Sequence, residues 1–286
     1  MEKSPANLND AETSTSDASM LAEESFAHEQ ILGLTHLLAN LRIAKELLSE
    51  GSADTAGAIR YIDHARFEAE SIRYEAYNLI SQRWPHVLGQ LARKEISMIS
   101  PMDLLTSMTE PYEQRAEKRG ITFRVKTTAP NGEAPPPMLI DVFAMRRAFH
   151  NLLSNALKYS FRAPRSGNAR YISIWCASMD RVQRTWGICI QNYGVGIEEN
   201  ELSSVFQPGY RGRLAKRENS LGVGLGLSEA RKCIEGHGGH LRLSSKLVAE
   251  ASATSEGGPQ QPIYVTTARV ILPQRTNINT RNAVVL

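Results

Sequence analysis

From Phe26 onward, apolar side chains recur at steps of three and four: Ile31, Leu34, Leu37, Leu41, Ala44 and Leu48 form one stripe, the period of a helix buried along one side. The segment Glu50-Gly51-Ser52-Ala53-Asp54-Thr55 breaks that helix with a glycine and several residues suited to N-capping. Beyond it, Ile59, Ile62, Ala65, Ala69, Ile72, Ala76 and Leu79 repeat the stripe. Two helices joined by so short a loop run antiparallel. Each has only the other to cover it, so pairing two hairpins into a four-helix bundle is the economical solution, and a homodimer is expected. Trp84-Pro85 ends or kinks the second helix, because the residue before proline is pushed out of the α region. The residues up to Glu24 carry almost no large apolar side chains and cannot offset the entropy of ordering, so 1–24 is expected to be a disordered acidic tail.

Past Pro101 the texture becomes mixed. Met102 to Arg119 reads as a helix, Ile121 to Val125 as an alternating strand, Ala129 to Pro137 as a Pro- and Gly-rich loop, and Val142 to Ser160 as a strongly periodic helix. Tyr171 to Cys176 and Thr185 to Ile190 alternate with period two around a polar loop and predict an antiparallel hairpin. A helix near Ser228 to Glu235, a strand from His240 to Ser244, a low-complexity loop from Ala249 to Pro262 and a strand from Tyr264 to Leu272 complete the pattern. The fold class is therefore α+β. An antiparallel helical hairpin over 25–99 precedes an α/β sandwich over 100–275, with helices on one face of a mainly antiparallel sheet, and 276–286 is a loose tail.

Composition narrows the function. A net charge of +3 over 286 residues, with the basic residues scattered, does not argue for nucleic acid. Cys176, Cys189 and Cys233 have neither metal-ligand nor CxxC spacing, so they read as buried thiols of a reducing compartment. No apolar run approaches the ~18–20 residues of a membrane span, and the first residues lack a basic start followed by an apolar stretch. A cytoplasmic protein with no membrane span is expected.

Candidate chemistry gathers in the sandwich. On the helix from Val142, the core stripe is Met145, Phe149, Leu152 and Ala156, while Asn151, Asn155, Lys158 and Tyr159 share another side. An amide oxygen is a hard, neutral ligand suited to a magnesium ion that keeps most of its coordination for water and phosphate oxygens, and a lysine one turn on can neutralise phosphate. Alone, the asparagines could equally cap or solvate a helix. Asn192-Tyr193-Gly194-Val195-Gly196-Ile197 ends a strand, where two glycines let the backbone come close to a flat ligand. Gly222-Val223-Gly224-Leu225-Gly226-Leu227 enters a helix whose first N–H groups would seat phosphate. Between them, Phe206, Tyr210, Arg211, Arg213, Lys216 and Arg217 suit a lid over phosphates or an ordinary solvated loop.

Taken in order, Asn151 to Ser160, Asn192 to Ile197, Val205 to Gly212, and Gly222 to Leu227 followed by Gly236-His237-Gly238-Gly239 resemble the N, G1, F and G2 boxes of sensor histidine kinases. The resemblance covers about Pro101 to Pro273 and implies a Bergerat fold that binds ATP and magnesium. It implies that Asn155 holds the metal, that Asn151, Lys158 and Tyr159 support metal and phosphates, that Asn192, Gly194 and Gly196 meet the base, that Phe206 and Arg211 belong to the lid, and that Gly222, Gly224 and Gly226 close the phosphate end. Asn192 stands where the family usually has an aspartate that accepts from the adenine amino group.

By the same likeness the hairpin is the dimerisation and phosphotransfer domain. Phe26-Ala27-His28-Glu29 matches the start of the phosphoacceptor box, with His28 as nucleophile and Glu29 as base. Leu32 and Gly33 depart from the usual continuation, and His36 and His64 remain competing acceptors. The expected function is an ATP-dependent histidine kinase that passes phosphate to the receiver domain of a response regulator, its input coming from a partner or a docked sensor protein. A degenerate scaffold that regulates a partner is the alternative, and a serine kinase of the anti-sigma-factor type is disfavoured by the hairpin.

Overall fold

The computed structural model of the chain describes residues 34, 37–48, 55–83, 95–160, 170–218, 223–249 and 262–274. The expected acidic tail, Trp84-Pro85 and the C-terminal tail lie outside these residues. The chain divides into two compact units, Met1–Arg73 with Asn219–Val223, and Tyr74–Glu218 with Gly224–Leu286.

The first unit contains helix α1 (residues 37–48) and most of helix α2 (Thr55–Arg83). Both lie where the stripes predict helices, but the stripe residues Leu34, Leu41, Leu48, Ile59 and Ile62 are exposed, while Ala44 and Ala65 are buried.

The second unit begins with the last turns of α2, from Tyr74. Strand β1 (Ile96–Ile99) pairs antiparallel with β3 (Met138–Asp141) in a two-stranded sheet that the periodicity did not reveal. Four-residue strands are too short to show a period. The single helix expected from Met102 to Arg119 is two, α3 (Pro101–Thr106) and α4 (Glu110–Glu117). Pro101 and Pro111 each sit in a first turn, where a missing N–H costs nothing, and the Ser100 hydroxyl caps the first helix by accepting from Asp103 N.

Five strands form the main sheet in the order β2 (Ile121–Lys126), β4 (Arg170–Asp180), β5 (Thr185–Gly194), β7 (Ile263–Pro273), β6 (His240–Ala249). Only β2–β4 is parallel; the remaining pairings are antiparallel. The β4–β5 turn is tied by Asp180 Oδ1, which accepts from Val182 N and Gln183 N. Helices α5 (Val142–Lys158) and α7 (Gly226–Gly236) pack on one face. Met145, Ala148, Phe149 and Leu152 of α5 and Ala230, Cys233 and Ile234 of α7 meet Ile172, Ile174, Ile188, Ile190 and Val270 in the core, all under 5% exposed. Burial pushes the Cys176 thiol up to about 11, so this cysteine is an inert core residue.

Candidate nucleotide-binding site

The site is organised around α5, which is fixed at both ends. At its start, Asp141 Oδ1 accepts from Ala144 N at 3.1 Å, the N-cap bond that begins the helix. The Asp141 N–H itself donates to His237 Nε2 at 3.0 Å, while His237 Nδ1 donates to Cys233 O, so the imidazole after α7 holds the entry to α5. At its end, the Arg119 guanidinium donates to Leu157 O and, at 2.9 Å, to Ser160 O, placing a cation over the helix's last carbonyls.

The end of α5 also touches the end of β5. Val195 N donates to Tyr159 O at 2.9 Å, and Ser160 forms an isolated antiparallel bridge with Gly194. A Cβ on Gly194 would run into the Tyr159 carbonyl, and one on Gly196 into the Tyr264 ring, so both positions require glycine for close approach. The line Asn151, Asn155, Lys158, Tyr159 is thereby joined to the Asn192–Gly196 segment.

The third glycine segment arrives from α7. A Cβ on Gly226 would lie 3.6 Å from Asn151 Oδ1 and 3.7 Å from Asn155 Nδ2, so the start of α7 stands against both amides. Among the described residues no side chain caps this helix start. Gly224 has φ +75°, the left-handed region, and Gly209 N donates to its carbonyl at 3.1 Å. Phe206 lies beneath Arg231 of α7 with its ring centroid 5.0 Å from the guanidinium carbon. The Phe206–Arg211 segment is thus attached to α7 and to the turn before it. Helix α6 (Arg213–Glu218) follows it, and Glu201 orders its start by accepting from Tyr210 Oη and Arg213 N, each at 2.9 Å.

The structure thus brings Asn151 and Asn155 against Gly226, and Tyr159 against Gly194. Gly222, His28, Glu29 and His36 lie outside the described residues. His64 falls within α2, but its side chain is not described.

The sequence did not reveal that the end of α2 lies on the same helix. Asn78 Nδ2 donates to Asn151 Oδ1 at 3.1 Å, and both side chains are buried. Tyr74 packs between Phe143 and His150, and Tyr77 lies edge-on to Phe143 and under the Arg147 guanidinium, 4.1 Å from ring centroid to Cζ. Arg147, itself 8% exposed, reaches Cys233 Sγ at 3.1 Å and Glu229 Oε2 at 3.5 Å, linking α5 to α7. Tyr74 and Asn78 are buried here, whereas Ala76 and Leu79, on the expected stripe, are only half-buried.

Magnesium suits the donor set. Among the described residues no group of three His, Cys, Asp or Glu side chains could hold a metal ion. A divalent cation beside Asn155 would draw most of its ligands from phosphate and water, the habit of magnesium rather than zinc.

Residues 140–275 match the family described as histidine kinase-, DNA gyrase B-, and HSP90-like ATPase. Over these residues the chain is similar to that family. The mixed sheet with helices on one face agrees with its Bergerat architecture. The adaptive-response sensory kinase SasA of Synechocystis is 30% identical over 146 residues, 50% of this chain and 34% of that protein. The probable sensor protein PcoS of Escherichia coli is 31% identical over 163 residues, 57% of this chain and 31% of that protein. The solved mycobacterial sensor histidine kinase MprB aligns with 24% identity and a TM-score of 0.46, covering 63% of this chain and 99% of that one. The family match and the two sequence relatives uphold the resemblance to sensor histidine kinases read from the motifs. The chain spans 16%, 34% and 31% of the length of the first three curated relatives it matches.

Proposed function

We propose that this chain is an ATP-dependent protein-histidine kinase that phosphorylates its own hairpin and passes the phosphoryl group to an aspartate on a response-regulator receiver domain. The observation that carries this reading is the meeting of Asn151 and Asn155 with Gly226 at an uncapped helix start, beside the Gly194 backbone. Amide oxygens suit a metal and the N–H groups of a helix start suit phosphates.

In this reading Asn155 holds magnesium through Oδ1, Asn151, Lys158 and Tyr159 support it and the phosphates, and the glycines of the Gly222–Gly226 segment close the phosphate end. Asn192, with Gly194 and Gly196, meets the base, and Phe206 and Arg211 belong to the lid. ATP supplies the γ-phosphoryl group. An imidazole nitrogen of His28 forms the new N–P bond as the P–O bond to the β-phosphate breaks, Glu29 takes the imidazole proton, and ADP leaves. The sensory-kinase and sensor relatives support a receiver domain as the next acceptor.

Among the described residues no helix is long and apolar enough to cross a membrane. That is compatible with a cytoplasmic kinase receiving its input from a separate sensor protein. The exposed Leu34, Leu41, Leu48, Ile59 and Ile62 support an antiparallel hairpin that buries its stripes in a homodimeric four-helix bundle.

Incubation with γ-labelled ATP and magnesium tests the reading. Label is expected on the protein, acid-labile and alkali-stable, and absent from His28→Gln, which retains nucleotide binding. Glu29→Gln is expected to slow labelling by ~100- to 10,000-fold, the usual contribution of a general base. Label persisting in His28→Gln would move the acceptor to His36 or His64. No label on the wild type, despite nucleotide binding, would contradict the kinase reading.

A further inference from the structure

Asn192 is 6% exposed, and its Nδ2 is buried with no hydrogen-bond partner among the described residues. By strand alternation it shares a face of β5 with the core residues Ile188 and Ile190. Two residues on is Gly194, where β5 meets the end of α5. Leaving an amide donor buried without an acceptor is unfavourable, so a ligand that brings an acceptor to Nδ2 is favoured there.

A carboxylate in this place, as the family resemblance leads one to expect, only accepts hydrogen bonds. It suits the exocyclic amine of adenine and repels the O6 of guanine. An amide both donates and accepts. Opposite adenine, Oδ1 accepts from the 6-amino group while Nδ2 donates to a ring nitrogen, the bidentate match of asparagine with this base. Opposite guanine, a half-turn about Cβ–Cγ lets Nδ2 donate to O6 and Oδ1 accept from N1–H. With no partner holding Nδ2, this turn breaks no hydrogen bond of that nitrogen.

We propose that Asn192 broadens the base specificity of this site, so that the chain binds guanine as well as adenine nucleoside triphosphates. The proposal rests on the nucleotide-binding reading given above. Asn192 is the specificity-determining residue, and its effect is on binding, before any phosphoryl transfer.

Displacement of a fluorescent ATP analogue by unlabelled ATP and by GTP, with magnesium present, measures both affinities. For the wild type the two dissociation constants are expected within about tenfold of each other, since both bases offer the amide a donor and an acceptor. Asn192→Asp is expected to shift the ratio at least tenfold towards ATP, with its fold checked by thermal melting. Asn192→Ala, which lacks both groups, is expected to weaken both nucleotides. ATP binding to the wild type with GTP weaker by a hundredfold or more would overturn the proposal while leaving the nucleotide-binding reading intact. Comparable binding of both bases with an unchanged ratio in Asn192→Asp would overturn the role of Asn192. Failure of the wild type to bind either nucleotide would overturn the underlying reading and the proposal together.

Discussion

His150 is fully enclosed beside Asn151, with its Nδ1 2.8 Å from the Tyr112 hydroxyl and its ring packed against Tyr74. Burial, with Arg115 nearby, lowers its pKa to about 4 from the ordinary 6.5. Between those values the unfolded chain binds a proton that the folded chain refuses, so folding stability is retained above about pH 6.5 and falls as the pH drops towards 4. The full loss would be roughly 3 kcal/mol if the whole shift were realised. Urea unfolding at stepped pH is expected to show this slope in the wild type and a reduced slope in His150→Gln. An equal slope in both would place the proton uptake elsewhere. Asn151 and Asn155 were legible through the order of the four segments, since two amides on one helical line could by themselves equally cap or solvate a helix. Asn78, Arg147 and Glu229 were not legible, because polar side chains on helices are ordinarily solvated and only the fold brings these together.

At the scale of elements, the long periodic helices and the β4–β5 hairpin were readable because each presents one apolar face over many residues. Strands β1 and β3 were too short to read, and the break between α3 and α4 was hidden because Pro111 is as welcome at a helix start as it is unwelcome inside one. Past Tyr74 the buried line of α2 moves to Tyr74 and Asn78, following the aromatic and amide groups of α5 rather than the aliphatic stripe. In the first unit the stripe's Leu41 is 45% exposed, an arrangement that a partner copy would relieve. Leu41→Glu places a carboxylate in the proposed seam, and its desolvation should dissociate the dimer or unfold the bundle. Light scattering at micromolar concentration is expected to give twice the chain mass for the wild type and less for the variant. A single-chain mass for the wild type would refute the bundle.

For the whole molecule, the candidate site is assembled from segments that the sheet order brings together: the end of α5, the end of β5 and the start of α7. Strand β5 lies at the middle of the sheet, so the Asn192–Gly196 turn emerges over a rigid support, while α5 and α7 are tied to each other through Arg147 and Glu229. In the proposed reading the amide of Asn155 holds the metal that accompanies the nucleotide. Calorimetric titration of the full chain with ATP, with magnesium present or chelated, tests this most directly alongside Asn155→Ala. Magnesium-dependent binding to the wild type, weakened at least tenfold in Asn155→Ala because the cation loses its protein ligand, is the expected result. The same ATP affinity in wild type and Asn155→Ala, with magnesium present and both proteins folded, would contradict it.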